Sequence, residues 1–123
     1  MFKFAKKILL SFEESKAYLS KSLLHKVIVT GNPVRKSVAS GECEKGFKFT
    51  GFNKHRPVIL VMGGSLGAMQ INELVKAALD ELLKKFQIVH ITGKGKLDIG
   101  VHKTGYAQYE FLNEELPDVY AIS

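Results

Sequence analysis

Between Val58 and Leu82 the spacing of apolar positions changes once, and the rest of the chain is read around that change. Val58-Ile59-Leu60-Val61-Met62 is an unbroken apolar run, long enough for a buried strand and too short for an ordinary helix. Gly63-Gly64-Ser65-Leu66-Gly67 follows, where three glycines free the backbone to turn. Ile71, Leu74, Val75, Ala78 and Leu82 then recur at three- and four-residue spacing, the stripe of a helix lying on a sheet. The pattern predicts strand, glycine turn, helix.

Weaker copies of this order flank it. Ile8 to Phe12 predicts a short strand, and Glu13-Glu14 suit the first turn of a helix ending near Leu19, where negative charge is favoured. Residues 21–26 lead back to a second strand, Val27-Ile28-Val29. Thr30-Gly31-Asn32-Pro33-Val34-Arg35 has turn chemistry, with Pro33 suited to a first helical position and Arg35 one turn into a short helix. Ala39 to Arg56 shifts to Ser, Gly, Lys and Asn and reads as a connector that Phe47, Phe49 and Phe52 pin to the core. Phe86 to Thr92 and Tyr106 to Phe111 predict two more strands, Glu114 to Tyr120 a short helix, and Ala121-Ile122-Ser123 the start of a further buried strand. Strand-helix-strand order, met twice, predicts an α/β protein of Rossmann-like parallel-sheet units.

Composition narrows this picture. A chain of 123 residues, 46% of them hydrophobic, has the size of one ordinary globular domain. Residues 1–56 hold twelve Lys or Arg against four Asp or Glu, whereas residues 57–123 hold six against eight. Such asymmetry fits an anionic partner, nucleic acid or an acidic membrane surface, although for most single lysines a solvated face is the plainer reading. With Cys43 alone, no intrachain disulfide forms, and a reducing compartment is expected. No apolar run approaches the ~18 residues of a membrane helix. Ile8 to Phe12 is also shorter than the roughly 7–15 residues of a secretory signal core, so a cytoplasmic protein is expected.

The chemistry concentrates where strand meets helix. The first turn of a helix carries backbone N–H groups without internal partners and a partial positive charge, so an anion belongs there. Gly63, Gly64 and Gly67 would let a phosphate approach the backbone, with the Ser65 hydroxyl as a further donor. The stretch is neither the NTP-binding loop, which needs Lys-Ser or Lys-Thr after its last glycine, nor the G-x-G-x-x-G dinucleotide fingerprint. It does fit G-x-S-x-G, the nucleophile elbow of serine hydrolases. That alternative would make Ser65 the nucleophile, but Asp98 and His102 lie four residues apart in one polar loop, a poor geometry for separate triad members. A third reading is a basic anion-binding module without catalysis. Arg35 suits paired hydrogen bonds to phosphate or carboxylate. His90, among apolar neighbours, reads as a hydrogen-bonded structural histidine. No D-x-D or other close acidic pair offers a divalent cation a site, so no metal or other cofactor is expected.

TGNPVR, ILVMGGSLGAMQIN, HITGKG and YEFLNEELPDVYA occur in order over about ninety residues, and together they resemble the MurG family of bacterial glycosyltransferases. The resemblance implies the two-domain GT-B fold and transfer of N-acetylglucosamine from UDP-N-acetylglucosamine to an undecaprenyl-linked muramyl-pentapeptide in peptidoglycan synthesis. It implies residues 1–35 as the closing portion of an acceptor domain, 36–56 as the connector and 57–123 as the first half of the UDP-sugar domain. It carries over Arg35, Ser65 and Leu112 as donor contacts, the last through backbone beside the uracil. It further implies a peripheral enzyme at the cytoplasmic face of the inner membrane, drawn to its anionic surface, with no nucleic acid partner. The family's acceptor-domain glycine loop, ribose-binding acid and sugar-reading glutamines have no counterpart here. The chain is therefore expected to be a fragment, inactive by itself, with the catalytic base outside it.

Overall fold

The computed structural model describes residues 4–64 and 68–123. Ser65 and Gly67, two of the expected anion-binding residues, lie outside the described residues. The chain divides into two compact units, residues 1–35 and 36–123.

The first unit pairs two three-residue strands in parallel, β1 (Ile8–Leu10) and β2 (Val27–Val29), with Ile8 opposite Val27 and Leu10 opposite Val29. Between them run two 3-10 helices, Glu13–Tyr18 and Lys21–Lys26, rather than one longer helix. A 3-10 turn stacks every third side chain and does not build a long apolar stripe. Ile8 is accordingly the one core residue of this unit among the described residues, while Leu9, Phe12 and Tyr18 are exposed. Beyond β2 no regular structure forms over residues 30–35, and the next 3-10 helix starts at Lys36. Arg35 therefore precedes a helical turn instead of sitting within one. Proline at a first helical position permits a helix but does not nucleate one, and nothing else in residues 30–35 supplies the first turn.

The second unit is a three-stranded parallel sheet in the order β3 (Val58–Met62), β4 (Gln87–Ile91), β5 (Tyr106–Tyr109). β3 meets β4 with Val58 opposite Gln87 and Met62 opposite Ile91, and Ile91 in turn faces Tyr109. β4, hydrogen-bonded on both edges, holds the fully buried Ile88 and Val89. The chain crosses from β3 to β4 through α2 (Ala68–Leu82) and from β4 to β5 through residues 92–105, which contain no helix. Val75 and Leu79 form the buried line of α2, while Leu74 and Ala78 of the expected stripe face outward. Positions four apart set that face, and the three-residue steps fall off it. At its end the Arg56 guanidinium donates to the carbonyls of Leu83 and Phe86, a cation where the helix dipole favours one.

The other face is closed by α1 (Cys43–Thr50) and α3 (Leu116–Ile122). Val58, Val89 and Val119 form the core there, with Phe47, Phe52, Leu60 and Ile122 packed around them. The stretch expected as a connector thus contributes a helix, and Phe47 and Phe52 do pin it. Phe49 instead is partly exposed and stacks on Tyr109 with ring centroids 5.0 Å apart. Glycine permits the helices to touch: a β-carbon on Gly41 would stand 1.8 Å from the Pro117 carbonyl oxygen, and one on Gly46 2.3 Å from that of Asp118. Asp118 also accepts the Glu42 N–H at 2.7 Å, capping α1 from the neighbouring helix. Ala121 and Ile122 continue α3 rather than opening a strand. Three residues are too few for period to separate the two states.

Candidate functional site

Because the three strands are parallel and in register, their carboxyl ends lie side by side. That edge is where open α/β sheets bind ligands. Gly63 and Gly64 leave β3 there, Thr92 to Lys96 leave β4, and Glu110 to Asn113 leave β5. A hollow of about 450 Å³ is lined by Gly63, Gly64, Gly93, Lys94, Lys96, Glu110 and Phe111. Beside it a second hollow of about 450 Å³ is lined by Phe49, Tyr109, Phe111, Leu112 and Asn113, so that Phe111 borders both.

Local chemistry explains each wall. Gly64 keeps out of the left-handed region, so the expected need for backbone freedom does not hold at this position. A β-carbon there would meet nothing within 4 Å, and its absence leaves open space at the hollow. The left-handed glycines bordering this turn are Gly93, at φ 90°, and Gly95, at φ 69°, which turn the chain at once after β4 and return Lys96 N–H to the Gly93 carbonyl at 3.1 Å. Glu110 accepts the Gly95 N–H at 2.6 Å and so braces that turn. Among the described residues neither Lys94 nor Lys96 is in an ion pair. Two cations against one engaged carboxylate give the first hollow a potential that draws anions.

Leu112 is half-buried, packs against the core cluster and is among the residues lining the second hollow. Gly63 and Gly64 border the first hollow, and Arg35 is the exposed last residue of the first unit. Lys94, Lys96 and Phe111 also line the hollows, although the sequence alone gives them no role. The signal for the lysines is their alternation with Gly93 and Gly95 directly after a buried strand.

His90 is 2% exposed and bonded at both ring nitrogens, with Nδ1 2.8 Å from the Tyr106 hydroxyl and Nε2 3.0 Å from Asn72 Oδ1. Burial lowers its pKa below the ordinary 6.5. Burial foremost, with Asp98 adding to it, raises that of Tyr106. Both groups are therefore neutral at pH 7. The hydrolase alternative finds no support, since Asp98 pairs with Lys76 at 2.6 Å and accepts the Gly100 N–H, with no bond to His102 among the described residues. No helix among the described residues is long and apolar enough to cross a membrane.

Comparison with known proteins bears on this edge directly. A family model described as "Glycosyltransferase family 28 C-terminal domain" matches residues 58–120, from the first residue of β3 into α3. A Bacillus cereus protein named UDP-N-acetylglucosamine--N-acetylmuramyl-(pentapeptide) pyrophosphoryl-undecaprenol N-acetylglucosamine transferase 2 is 53% identical over 122 residues, covering 98% of this chain and 34% of its own length. A Staphylococcus aureus protein with the same name, unnumbered, is 46% identical over 121 residues, covering 98% of this chain and 33% of its own. The chain thus spans about a third of the length of these relatives. No solved structure matches. Matched across both hollow-forming strand ends and over just over half its length, the chain belongs to the glycosyltransferase family 28 C-terminal domain family.

Proposed function

We propose that this chain carries part of the donor site of an inverting hexosyltransferase. The whole enzyme moves N-acetylglucosamine from UDP-N-acetylglucosamine to an undecaprenyl-linked muramyl-pentapeptide. The observation that carries the reading is the cationic hollow between Gly63-Gly64 and Gly93–Lys96, at the carboxyl edge of a parallel sheet. A diphosphate is the anion that suits it, held by backbone amides of the glycine stretch 63–67, the Ser65 hydroxyl and the two lysines. The second hollow, with Phe49 stacked on Tyr109 and with Leu112, Glu114 and Glu115 also on its lining, offers aromatic surface for the uracil. Residues 57–123 then form the first half of the UDP-sugar domain and 36–56 its connector. Residues 1–35 close the acceptor domain of the whole enzyme, in which the resemblance makes Arg35 a donor contact.

In the whole enzyme the 4-hydroxyl of the muramyl sugar attacks the anomeric carbon, the bond to the diphosphate breaks, and UDP departs with inversion. Negative charge grows on the departing diphosphate, so donors already fixed around it lower the barrier. Losing one such donor costs about 10²- to 10³-fold in rate where it is fully engaged. Work at a lipid-linked acceptor places the enzyme at the inner face of the plasma membrane, with anionic lipid rather than nucleic acid as the polyanion that the basic residues meet.

Calorimetric titration of the chain with UDP, UDP-N-acetylglucosamine and uridine tests this. Saturable binding of both diphosphates with much weaker binding of uridine is expected, and equal affinity for uridine and UDP would remove the diphosphate site. The chain by itself should give no transfer to a lipid-linked acceptor, and detectable transfer would overturn its role as a partial site.

A further inference from the structure

β3 forms one edge of its sheet, and a single bond shows which of its backbone groups face outward. The Gln87 N–H donates to the Pro57 carbonyl at 2.9 Å, so Pro57 faces β4. Backbone groups of successive strand residues point to alternate sides. Ile59 and Val61 therefore also face β4, whereas the N–H and C=O groups of Val58, Leu60 and Met62 face away from the sheet. None of these outward groups has a backbone partner among the described residues. The opposite edge differs, because the Tyr106 N–H that points outward from β5 is already taken by the Lys103 carbonyl at 3.0 Å.

An open row of donors and acceptors is completed by another strand. Protein edges are commonly blunted by a lysine, a proline or a bulge, and Val58–Met62 has none of these: it is apolar throughout and its ladder with β4 is unbroken. The groove along this edge, of about 440 Å³, is lined by Val58, Ile59, Leu60, Met62, Tyr120 and Ser123. No charged side chain is on that lining, in a chain of net charge +6. Two copies repel each other wherever basic surfaces face, and along this edge they meet with no like-charged side chains opposed. A charged peptide finds no counter-charge there.

We infer that the β3 edge pairs with the same edge of a second copy of this chain, antiparallel about a twofold axis through Leu60. In that register Leu60 exchanges both outward bonds with Leu60 of the second copy, and Val58 exchanges its own with Met62. Every outward group of the strand is matched, and the two three-stranded sheets become one. Met62, 44% exposed and in contact with the Tyr120 hydroxyl at 3.3 Å, gains Val58 of the second copy as its cross-strand neighbour. Antiparallel pairing also sets the carboxyl end of one sheet beside the amino end of the other. The hollows of the two copies then open at opposite ends, and the pairing does not rest on the donor-site reading. A strand pair of this length buries less area than a permanent dimer needs, so monomer and dimer should exchange.

Sedimentation velocity of the full chain at rising concentration should show monomer giving way to dimer. Amide exchange over the same series should slow at the Leu60 and Met62 N–H groups by a larger factor than at Val61, which already faces β4. In a mixture of isotope-labelled and unlabelled copies, an NMR contact between Ile59 of one and Val61 of the other is expected, because these stand opposite each other without hydrogen bonds and approach most closely. Met62→Lys, which charges an exposed position on the edge, should abolish the dimer and leave the thermal midpoint close to wild type. A chain that stays monomeric at every concentration overturns the inference. So does a dimer in which the Leu60 amide exchanges as fast as in the monomer, since it forms through another face. Leu60 and Met62 amides equally protected at every dilution overturn it as well, by showing the edge covered by something other than a second copy.

Discussion

Residues 4–35 and residues 36–123 begin from one plan, parallel strands joined through helical turns, and end with different interiors. In the first unit the paired strands are three residues long and half of their apolar side chains remain exposed, Leu9 at 64% and Ile28 at 43% among them. In the second, β4 is bonded on both edges and covered on both faces, by α2 on one side and by α1 and α3 on the other, so that Ile88 and Val89 are at 0%. The difference is one of cover. Backbone pairing satisfies hydrogen bonds wherever two strands meet, but apolar burial needs a helix long enough to lay a stripe on the sheet. Six-residue 3-10 helices do not supply one.

The sharpest test uses the same residue type in both units. Ile88→Ala should destabilise the second unit by about 2–5 kcal/mol, the range for removing a fully buried branched side chain that leaves a cavity. Ile28→Ala, at a position nearly half open to solvent, should cost under about 1 kcal/mol. Chemical denaturation of each variant, followed by amide exchange assigned to the two units, measures both. Equal costs would mean that the first unit has a core as tight as the second, and the contrast in cover would fail.

The same contrast governs how much the sequence disclosed. Val58–Met62, the following helix and the strand over His90 are legible because apolar runs of strand length and a helical repeat are different periods. His90 too was readable as a hydrogen-bonded histidine, since a lone polar ring inside FQIVHIT needs partners to be buried. Helix α1 escaped notice because its contact with α3 uses the missing side chains of Gly41 and Gly46, and a surface made by absence has no hydropathy signal. Leu74 looked like part of the α2 stripe, yet it is 70% exposed and Leu79 takes the buried place. Of the proposed site, Gly63 and Gly64 can be read from strand-turn-helix order. Lys94 and Lys96 cannot, because lysine in a loop is usually only solvated, and register alone brings them beside the glycine loop.

A smaller effect should come from acidity, through His90 of the second unit. His90 is buried there with its pKa below 6.5. In the unfolded chain the imidazole takes up a proton as pH drops through about 6.5, and in the folded unit only at lower pH. The unfolded state thus binds more protons in that interval, and linkage makes stability fall with pH there. The His90 contribution is fully present above 6.5, declines below it and levels off once the folded form also titrates. Denaturation midpoints of the wild type and His90→Gln between pH 5 and 8 (about the range where histidine titrates) should converge toward the acid end. Parallel curves would show that His90 titrates in the folded unit as it does in the unfolded chain.

The smallest effect expected comes from exposed ion pairs, compared as one taken from each unit. Lys16 bonds Glu13 in the first, and Lys76 bonds Asp98 at 2.6 Å in the second. In water both pairs are screened, and each holds a flexible lysine in one geometry at an entropic cost. The Lys76–Asp98 contact raises the lysine pKa and lowers that of the carboxylate, first through the hydrogen bond they share, but both groups remain solvated. Lys16→Ala and Lys76→Ala should therefore leave the denaturation midpoints close to wild type, with the residual difference fading as salt is raised. A clear loss confined to Lys16→Ala would change the comparison at its root. The thinly covered unit would then be held by charge where the other is held by burial, and its stability would fall steeply with ionic strength while that of residues 36–123 would not.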